Sequence, residues 1–327
     1  MNATFSVGYS GTLDSLKRIV DVSEKVAAVY TGGIAGKLAG GRPQYADSMD
    51  ALSEQIDYAH SRGILFELTL NAPCGLRDRA DKPWWRSIRN YLKDIEGIGV
   101  DSVTVSHPFL MNEVKSHTGL SLAVSTICEI MTARSALYYE SLGGDVITPS
   151  MNVNMNIEAL RLMRRALTRA RLRIMVNEHC LGDCPWRRFH HNHYAHSSAE
   201  LDYHLHCKTV YRHQPYLLLT NNVIRPEDLH HYGDVTTDFK IVGRLVPIDV
   251  LLMRVSAYTS EHFEGNYVDL CDSTLAQFVI IPNGELDGLI QKRWTCTSLC
   301  ETCAHCAALF RKIGTVRRAT RAHRMTG

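Results

Sequence analysis

The residues that could do chemistry are densest in segment 177–193, which reads NEHCLGDCPWRRFHHNH. Cys180 and Cys184 lie four residues apart there, and Cys207 follows in HLHCKTV. Two thiolates at this spacing can bind one metal ion or two irons of one cluster. Thiolate-rich sites select zinc or iron–sulfur clusters over hard cations. The segment therefore predicts a soft-metal site.

A second cysteine array lies near the chain end, in CTSLCETCAHC. The spacing C-x₃-C-x₂-C-x₂-C resembles iron–sulfur ligand runs. Zinc ligands more often come as two separated pairs, although tetrahedral zinc is an alternative. We therefore expect this array to bind a second cluster, and the alternative is a structural clasp that closes the fold. Its members are Cys296, Cys300, Cys303 and Cys306.

The histidines near Cys184 suggest proton transfer rather than a protease-type zinc helix. His190, His191, His193 and His196 lie close together in FHHNHYAH, but H-E-x-x-H is absent from the sequence. One or two of these rings can donate protons near the metal. A cysteine hydrolase is the alternative class, because Cys180 follows Glu178 and His179. Adjacent residues of an extended segment point to opposite sides, so this adjacency is weak support.

Composition excludes several classes of protein. The chain has 327 residues, 45% of them hydrophobic and 21% charged, with a formal net charge of +2. This charge gives no sign of a strongly electrostatic partner. The N-terminus lacks a signal-peptide pattern, and no apolar run is long enough to span a membrane. We expect a cytoplasmic protein, in which ten cysteines indicate metal binding rather than disulfides.

The elements that must position these residues alternate between strands and helices. The amphipathic segments include 48–63 and 156–171. About eight repeats predict an α/β fold of the (βα)₈ barrel type, and a doubly wound open sheet is the alternative. Neither G-x-G-x-x-G nor a P-loop is present to favour the open sheet. The predicted strands are 5–10, 25–30, 64–70, 100–106, 121–126, 145–150, 171–177 and 238–244.

Active sites of such barrels form at the carboxyl ends of the strands. The polar residues that follow the predicted strands should therefore face one mouth. A long cysteine- and histidine-rich loop, about 178–215, follows the seventh strand, and long irregular loops are usually functional. The mouth candidates include Asn71, Ser106, Ser125, Ser150, Asn177, Glu178, His179, Cys180 and Arg244.

At this point the sequence resembles a known family, peptidase U32, whose members are described as collagenase-like proteases. The segment VNEHCLGDCPWRRFHHNHYAH resembles the signature loop of that family. LNAPC, IRPEDLHHY, DFKIVGR and the terminal cysteine run also resemble family segments. These segments extend from about residue 64 to 306, so the resemblance covers most of the chain.

The resemblance implies iron–sulfur chemistry rather than proteolysis. Relatives carry a [4Fe–4S] cluster on four cysteines and hydroxylate tRNA, ribosomal RNA or a ubiquinone precursor without oxygen, and several take the hydroxyl oxygen from prephenate. Cys180, Cys184 and Cys207 match the first part of that cluster site. Cys271 is our choice for the fourth ligand, and Cys74 is the alternative. Some family members work in pairs, which implies a possible heterodimer with a related protein.

Three arginines are candidates for recognising a dicarboxylate such as prephenate, because a guanidinium matches a carboxylate bidentately. Arg187 and Arg188 follow Cys184, and Arg244 ends the last predicted strand. The alternative for Arg187 and Arg188 is an ion pair with Glu178 or Asp183, or a hydrogen bond to a carbonyl oxygen. The candidate catalytic residues are Glu178, His179, Arg187, His190 and Arg244.

We divide the chain into a barrel-type U32 domain, 1–290, and a cysteine-rich extension with a basic tail, 291–327. The tail after Cys306 contains basic residues and no acid, which can attract RNA or an acidic peptide but is usually a solvated end. The leading hypothesis is an iron–sulfur hydroxylase that uses an electron donor and acts on a small molecule, a peptide or RNA. The alternatives are a metal-dependent or cysteine peptidase and a non-catalytic cluster-bearing partner of another enzyme.

Overall fold

Short strands rich in Val, Ile, Leu and Phe alternate with helices through most of the chain. The computed structural model describes residues 1–34, 38, 40–42, 46–73, 82–196 and 206–317. Cys74 and the part of the basic tail from Arg318 onward lie outside these residues, so the structure does not place them.

Nine parallel strands form the main sheet, in the order β7-β6-β5-β4-β3-β2-β1-β9-β8. Each lies within a predicted strand or within two residues of one, so the eight strand predictions are confirmed. The strands are β1 (Thr4–Gly8), β2 (Val26–Gly32), β3 (Leu65–Leu70), β4 (Ser102–Val105), β5 (Ser121–Val124), β6 (Val146–Ile147), β7 (Arg171–Leu172), β8 (Ile174–Met175) and β9 (Asp238–Ile241).

The sheet closes on itself through one segment of chain. β7 pairs with β6 and β8 pairs with β9, and only Arg173 separates β7 from β8. The two strands at the ends of the sheet order are therefore the two halves of the single strand predicted at 171–177. The sheet forms a nearly closed barrel surrounded by helices, which confirms the predicted (βα)₈ architecture.

Helices cover the outside of the barrel. In α2, Ser48 caps the first turn by accepting a hydrogen bond from Ala51 N, and Gly63 takes the left-handed conformation (φ 70°) after the last turn. The described helices are α1 (Leu13–Val20), α2 (Met49–Ser61), α3 (Lys82–Gly97), α4 (Pro108–His117), α5 (Ala133–Ser141), α6 (Ile157–Ala166), α7 (Arg187–His196), α8 (His206–His213), α9 (Ile248–Ser260), α10 (Leu289–Trp294), α11 (Cys300–Cys303) and α12 (His305–Ile313).

Side chains of β3 alternate between the core and the barrel interior, as the two-residue period of a strand requires. Phe66 and Leu68 pack in the hydrophobic core, whereas Glu67 points inward. Glu67 binds Arg173 and Lys240 at 2.7 Å each. The interior of this barrel therefore contains a layer of buried ion pairs, where apolar layers are usual.

The cysteine- and histidine-rich segment after β8 is more regular than the predicted loop. It contains α7 and α8, followed by the 3₁₀ helix Pro215–Thr220, which we call the 215–220 helix. Polar side chains dominate α7, so its sequence lacks the apolar stripe that usually indicates a helix.

The C-terminal extension folds back onto the barrel. Strands β10 (Val279–Ile280) and β11 (Thr315–Val316) form an antiparallel pair, and α12 packs against the 215–220 helix. Helix α10 crosses the predicted domain boundary at residue 290. Among the described residues, no helix has the length and apolar character needed to cross a membrane.

Candidate functional site

A cavity of about 420 Å³ opens at the carboxyl ends of the barrel strands. We call it the mouth cavity. Of the predicted mouth residues, those that line it are Asn71, Ser125, Glu178, His179, Cys180 and Arg244. Ser106, Ser150 and Asn177 instead make hydrogen bonds to Ala72 O, to Glu129 and to Val242 O. The carboxyl ends of strands on opposite sides of the barrel therefore meet in this cavity.

Three of the four predicted ligands of the first cluster line this cavity. Cys180 follows β8, Cys207 lies on α8, and Cys271 follows the 3₁₀ helix Tyr267–Leu270. Cys184 lies just before α7 and is half-buried. We call these four residues the first cysteine group.

Burial and neighbouring charges raise the pKa of three thiols of the first cysteine group. Burial raises the pKa of Cys207, and the charge of Cys184 raises it further. Burial also raises the pKa of Cys180, with Glu178 and Cys207 acting in the same direction and Arg187 in the opposite one. Burial raises the pKa of Cys271 to about 12.

The donor set suits an iron–sulfur cluster in chemical type, because thiolates are the usual ligands of such clusters. Among the described residues, however, no three His, Cys, Asp or Glu side chains already surround one metal-ion position. Cluster binding would therefore draw the sulfur atoms closer together.

Glu178 lies at the centre of an ion-pair network on one wall of the mouth cavity. Its Oε2 is 3.2 Å from Arg187 Nη2, and its Oε1 is 3.7 Å from Arg42 Nη2. Burial alone would raise the pKa of Glu178, but the charges of Arg187 and Arg42 hold it well below its usual range. Glu178 is therefore a carboxylate at neutral pH. This makes it a hydrogen-bond acceptor rather than a proton donor.

Arg187 is 3% exposed and also binds Glu129. The structure thus contains the Glu178 pairing that the sequence left open for Arg187. Arg188, the next residue, is exposed on α7 and does not line the mouth cavity. Two of the guanidinium nitrogen atoms of Arg187 bind carboxylates. Arg187 therefore holds the wall of the cavity in place.

His179 forms a second acid–base pair at the cavity. Its Nε2 is 3.0 Å from Asp272 Oδ2, and the other carboxylate oxygen accepts hydrogen bonds from Thr274 N and Thr274 Oγ1 at 2.8 and 2.6 Å. Burial alone would raise the pKa of Asp272, but the neighbouring His179 and Thr274 side chains hold it below its usual range. A carboxylate this close to the ring can orient the imidazole.

Two histidines of α7, His190 and His191, line the cavity. His190 is the predicted catalytic residue and is half-buried. His191 is 7% exposed, and neither of its ring nitrogen atoms has a hydrogen-bond partner among the described residues. Burial lowers the pKa of His191 to about 3, so the ring is neutral. A buried ring without partners costs free energy, which makes His191 a candidate for contact with a bound molecule.

Basic side chains line the cavity opposite and beside the thiols. Lys240 Nζ lies 3.8 Å from the centre of the Tyr30 ring, and Arg244 Nη1 donates a hydrogen bond to Thr69 Oγ1 at 2.7 Å. Arg254 is buried, and its Nη2 has no partner among the described residues. The cationic residues of the lining are Arg42, Arg187, Lys208, Lys240, Arg244 and Arg254. The cavity is therefore suited to an anionic ligand.

Sequence reasoning missed several residues of this site, chiefly Arg42, Glu129, Lys240, Arg254 and Asp272. Lys240 carried a usable signal, because a lysine flanked by apolar residues inside the strand DFKIVG must either pair or face a cavity. Arg254 lies in the similarly apolar segment IDVLLMRVSAYTS, where the same argument applies. Glu129 and Asp272 carried no comparable signal, since their partners are distant in sequence.

The array Cys296, Cys300, Cys303 and Cys306, which we call the terminal cysteine group, does not line the mouth cavity. It lies on and between α10, α11 and α12. The two cysteine groups therefore occupy different parts of the fold.

Comparison with known proteins agrees with the sequence resemblance. The model of peptidase family U32 matches residues 11–262. A protein of Methanocaldococcus jannaschii named as an uncharacterized protease is 31% identical over 328 residues, which cover 94% of this chain and 98% of that protein. A solved structure of a U32 peptidase superposes with a TM-score of 0.57 at 21% identity, over 76% of this chain and 94% of the other. The likeness to the solved structure, at 21% identity, shows a shared fold.

Proposed function

The chain belongs to peptidase family U32, and from this premise we propose that it is an iron–sulfur enzyme that hydroxylates an anionic substrate without molecular oxygen. One observation carries the proposal. Cys180, Cys207 and Cys271 line the same cavity as Arg244 and Lys240. This supports the proposal, because thiols suited to a soft metal and basic groups suited to an anion lie beside one cavity.

The first cysteine group would hold a [4Fe–4S] cluster, which supplies one-electron chemistry when bound. The chain's own residues would bind and orient the reactants. Arg244 is placed to bind a carboxylate beside the ion-paired Lys240, and the neutral ring of His191 can donate one hydrogen bond and accept another. Glu178 stays ionised and holds Arg187 and Arg42 in position.

Atoms and electrons balance if an organic donor supplies the hydroxyl group. The substrate C–H bond becomes C–OH, which removes two electrons from carbon, and the donor exchanges its OH for H, which accepts them. A hydroxylated dicarboxylate of the prephenate class suits this role, because two carboxylates match the basic lining of the cavity. The hydroxylated substrate would be a biosynthetic intermediate, RNA or a peptide, in the cytoplasm.

The family name and the M. jannaschii relative favour proteolysis as the second candidate. The geometry supports it less well. Cys180 Sγ lies 3.7 Å from Glu178 Oε1, a carboxylate that opposes thiolate formation, and the adjacent His179 pairs with Asp272 instead. A cysteine nucleophile needs a nearby base and a stabilised thiolate.

The test uses a strain that lacks the gene, complemented with wild type or with Cys180→Ser/Cys184→Ser, and grown without oxygen. Mass spectrometry of small molecules and nucleosides should find a species with one additional oxygen atom only with the wild type. A heavy-oxygen label in the donor's hydroxyl group should appear in that product. The Cys128→Ser variant is the matched control, because Cys128 lies outside both cysteine groups.

The opposite result would be an enzyme purified without iron that cleaves peptides in a zinc-dependent or thiol-dependent way. That outcome would overturn the hydroxylase proposal and restore the peptidase candidate. A cluster-bearing protein whose product appears only when a second protein is added would support the non-catalytic partner role instead.

A further inference from the structure

We propose that the terminal cysteine group is a second metal site, which holds a [4Fe–4S] cluster separate from the mouth cavity. This inference does not rest on the proposed function, because none of its four cysteines lines that cavity. The argument comes from the way the fold brings these four residues together.

Local structure places three of the four thiols in one short unit. Cys300 and Cys303 begin and end α11, so they lie three residues apart on one face of a helical turn. Ala304 then takes a left-handed conformation (φ 50°) and turns the chain into α12, on which Cys306 is the second residue. The turn keeps Cys306 close to the preceding helical turn.

Tertiary contacts bring the fourth cysteine to the same place. Arg293 Nη1 lies 3.6 Å from Cys296 Sγ, while Arg293 Nη2 donates a hydrogen bond to Thr220 O at 2.5 Å. Cys306 Sγ lies 3.9 Å from Leu219 O. Cys306 therefore lies against the end of the 215–220 helix, and Cys296 lies beside the arginine that binds the same end.

The four thiols form no disulfide with another described residue, and Cys296 and Cys303 are exposed. Among the described residues, no three side chains already surround one metal-ion position, so cluster binding would draw these sulfur atoms together. Free thiols in one short run of this spacing match the ligand loops of iron–sulfur clusters.

Backbone conformation distinguishes both cysteine groups from the rest of the chain. The described residues include five non-glycine residues with positive φ, and three of them lie between cysteines of one group. These three are Asp183, Ser298 and Ala304. Such conformations are uncommon for residues other than glycine and persist where the surroundings require them. Loops that wrap a metal centre impose this requirement.

The spacing of the four cysteines and the contacts of Cys296 Sγ favour an iron–sulfur cluster over a zinc ion. Four ligands within one continuous run match cluster loops, whereas zinc ligands usually form two separated pairs. Cys296 Sγ also accepts a hydrogen bond from Ser298 N at 3.4 Å and lies beside the Arg293 guanidinium. Donors around cysteine sulfur stabilise the negative charge of a reduced cluster.

The experiment measures iron, acid-labile sulfide and zinc per chain in full-length protein purified without oxygen. Wild type should contain about eight irons and about eight sulfides, and Cys300→Ser/Cys303→Ser should contain about four of each. Cys180→Ser/Cys184→Ser should also contain about four, and Cys128→Ser should keep the wild-type content. Electron paramagnetic resonance of the reduced wild type should show the signals of two clusters, and each double variant should lose one of them.

Each outcome decides between the two sites. Iron and sulfide that are unchanged in Cys300→Ser/Cys303→Ser, or zinc lost there without iron, would overturn the terminal cluster and leave the proposed function intact. Iron lost only in that variant would support the terminal cluster and overturn the cluster at the mouth cavity. If the double variant does not fold, Cys303→Ser alone replaces it, because Cys303 is exposed. A wild-type content of about eight irons would then support two clusters, and a content of about four irons would support only one.

Discussion

Lys240 Nζ donates a hydrogen bond to Glu67 Oε1 at 2.7 Å in the interior of the barrel, although 173 residues separate them in sequence. Both side chains are almost completely buried, and Arg173 binds the other oxygen of Glu67. Lys240 and Thr104, another partner of Glu67, also line the mouth cavity. The ion pairs therefore form the floor of the candidate site.

Replacing Glu67 should be strongly destabilising. The Glu67→Gln variant leaves Lys240 and Arg173 without their shared counter-charge, and breaking a buried pair costs about 3–5 kcal/mol. The measurement is the free energy of unfolding in urea at about pH 7. A loss below about 1 kcal/mol would contradict the role of this carboxylate in the barrel floor.

The Glu67→Gln variant should also change how the free energy of unfolding depends on pH. Burial alone would raise the pKa of Glu67, but Lys240 and Arg173 bring it well below its usual value. Its contribution to stability is therefore complete above the unfolded-state pKa of about 4.3 and is lost as the pH falls further. The difference in unfolding free energy between wild type and Glu67→Gln should narrow from about pH 7 to about pH 3.5. A constant difference would be the contrary result.

Arg244→Lys should weaken the binding of a dicarboxylate while the protein stays folded. Lysine keeps the charge but cannot present two parallel donors to one carboxylate. We expect roughly tenfold weaker binding, about 1.4 kcal/mol, by isothermal titration calorimetry under anaerobic conditions. Arg188→Lys is the matched control, because Arg188 is exposed and outside the cavity lining. Equal losses in both variants would indicate a general charge effect.

His191→Phe should separate binding from stability. Phenylalanine fills a similar volume and removes two buried nitrogen atoms that lack partners. A buried polar group without a partner costs about 1–3 kcal/mol of stability, and the variant should recover part of that free energy. The urea midpoint should therefore stay equal or rise, while the affinity for the anionic ligand falls. His193→Phe, a change on the same helix outside the cavity lining, serves as the comparison. Unchanged affinity in His191→Phe would remove this ring from the binding site.

Glu140→Gln should destabilise the turn before β7 without affecting the mouth cavity. The Glu140 carboxylate accepts hydrogen bonds from the backbone N of Thr168, Arg169 and Ala170 at 3.0, 2.7 and 2.7 Å. The amide is uncharged and turns a donor toward these groups, so we expect a loss of about 1–3 kcal/mol in urea unfolding. Glu158→Gln, at an exposed position of α6, should change stability by less than about 0.5 kcal/mol.

The barrel was predictable because its strands are apolar on both faces and are separated by helix-length segments. In the predicted amphipathic segment 48–63, Leu52, Ile56 and Ala59 lie at helical spacing and belong to the buried face of α2. The break in the strand at Arg173 was not predictable. It accompanies the burial of that side chain against Glu67 and Asp238, which are far away in sequence.

The candidate site was predictable only where its residues follow strands. Glu178, His179, Cys180 and Arg244 come directly after β8 and β9, and the strand rule brings them to one mouth. Whether His190 or His191 is the buried ring depends on the rotation of α7, which its polar sequence does not indicate. Arg254 reaches the cavity from a helix outside the barrel, and the strand rule does not apply there.

The segment 171–175, which pairs with β6 through one half and with β9 through the other, has a consequence for how the protein resists self-association. A strand at the border of an open sheet presents unpaired backbone groups to other chains, and such borders are where β-aggregates grow. Because the described main sheet joins its two ends through this segment, its wall offers little template for a second chain. A substitution that detached either half would expose these unpaired backbone groups. We therefore expect such a variant to aggregate during expression, even where its active-site residues are unchanged.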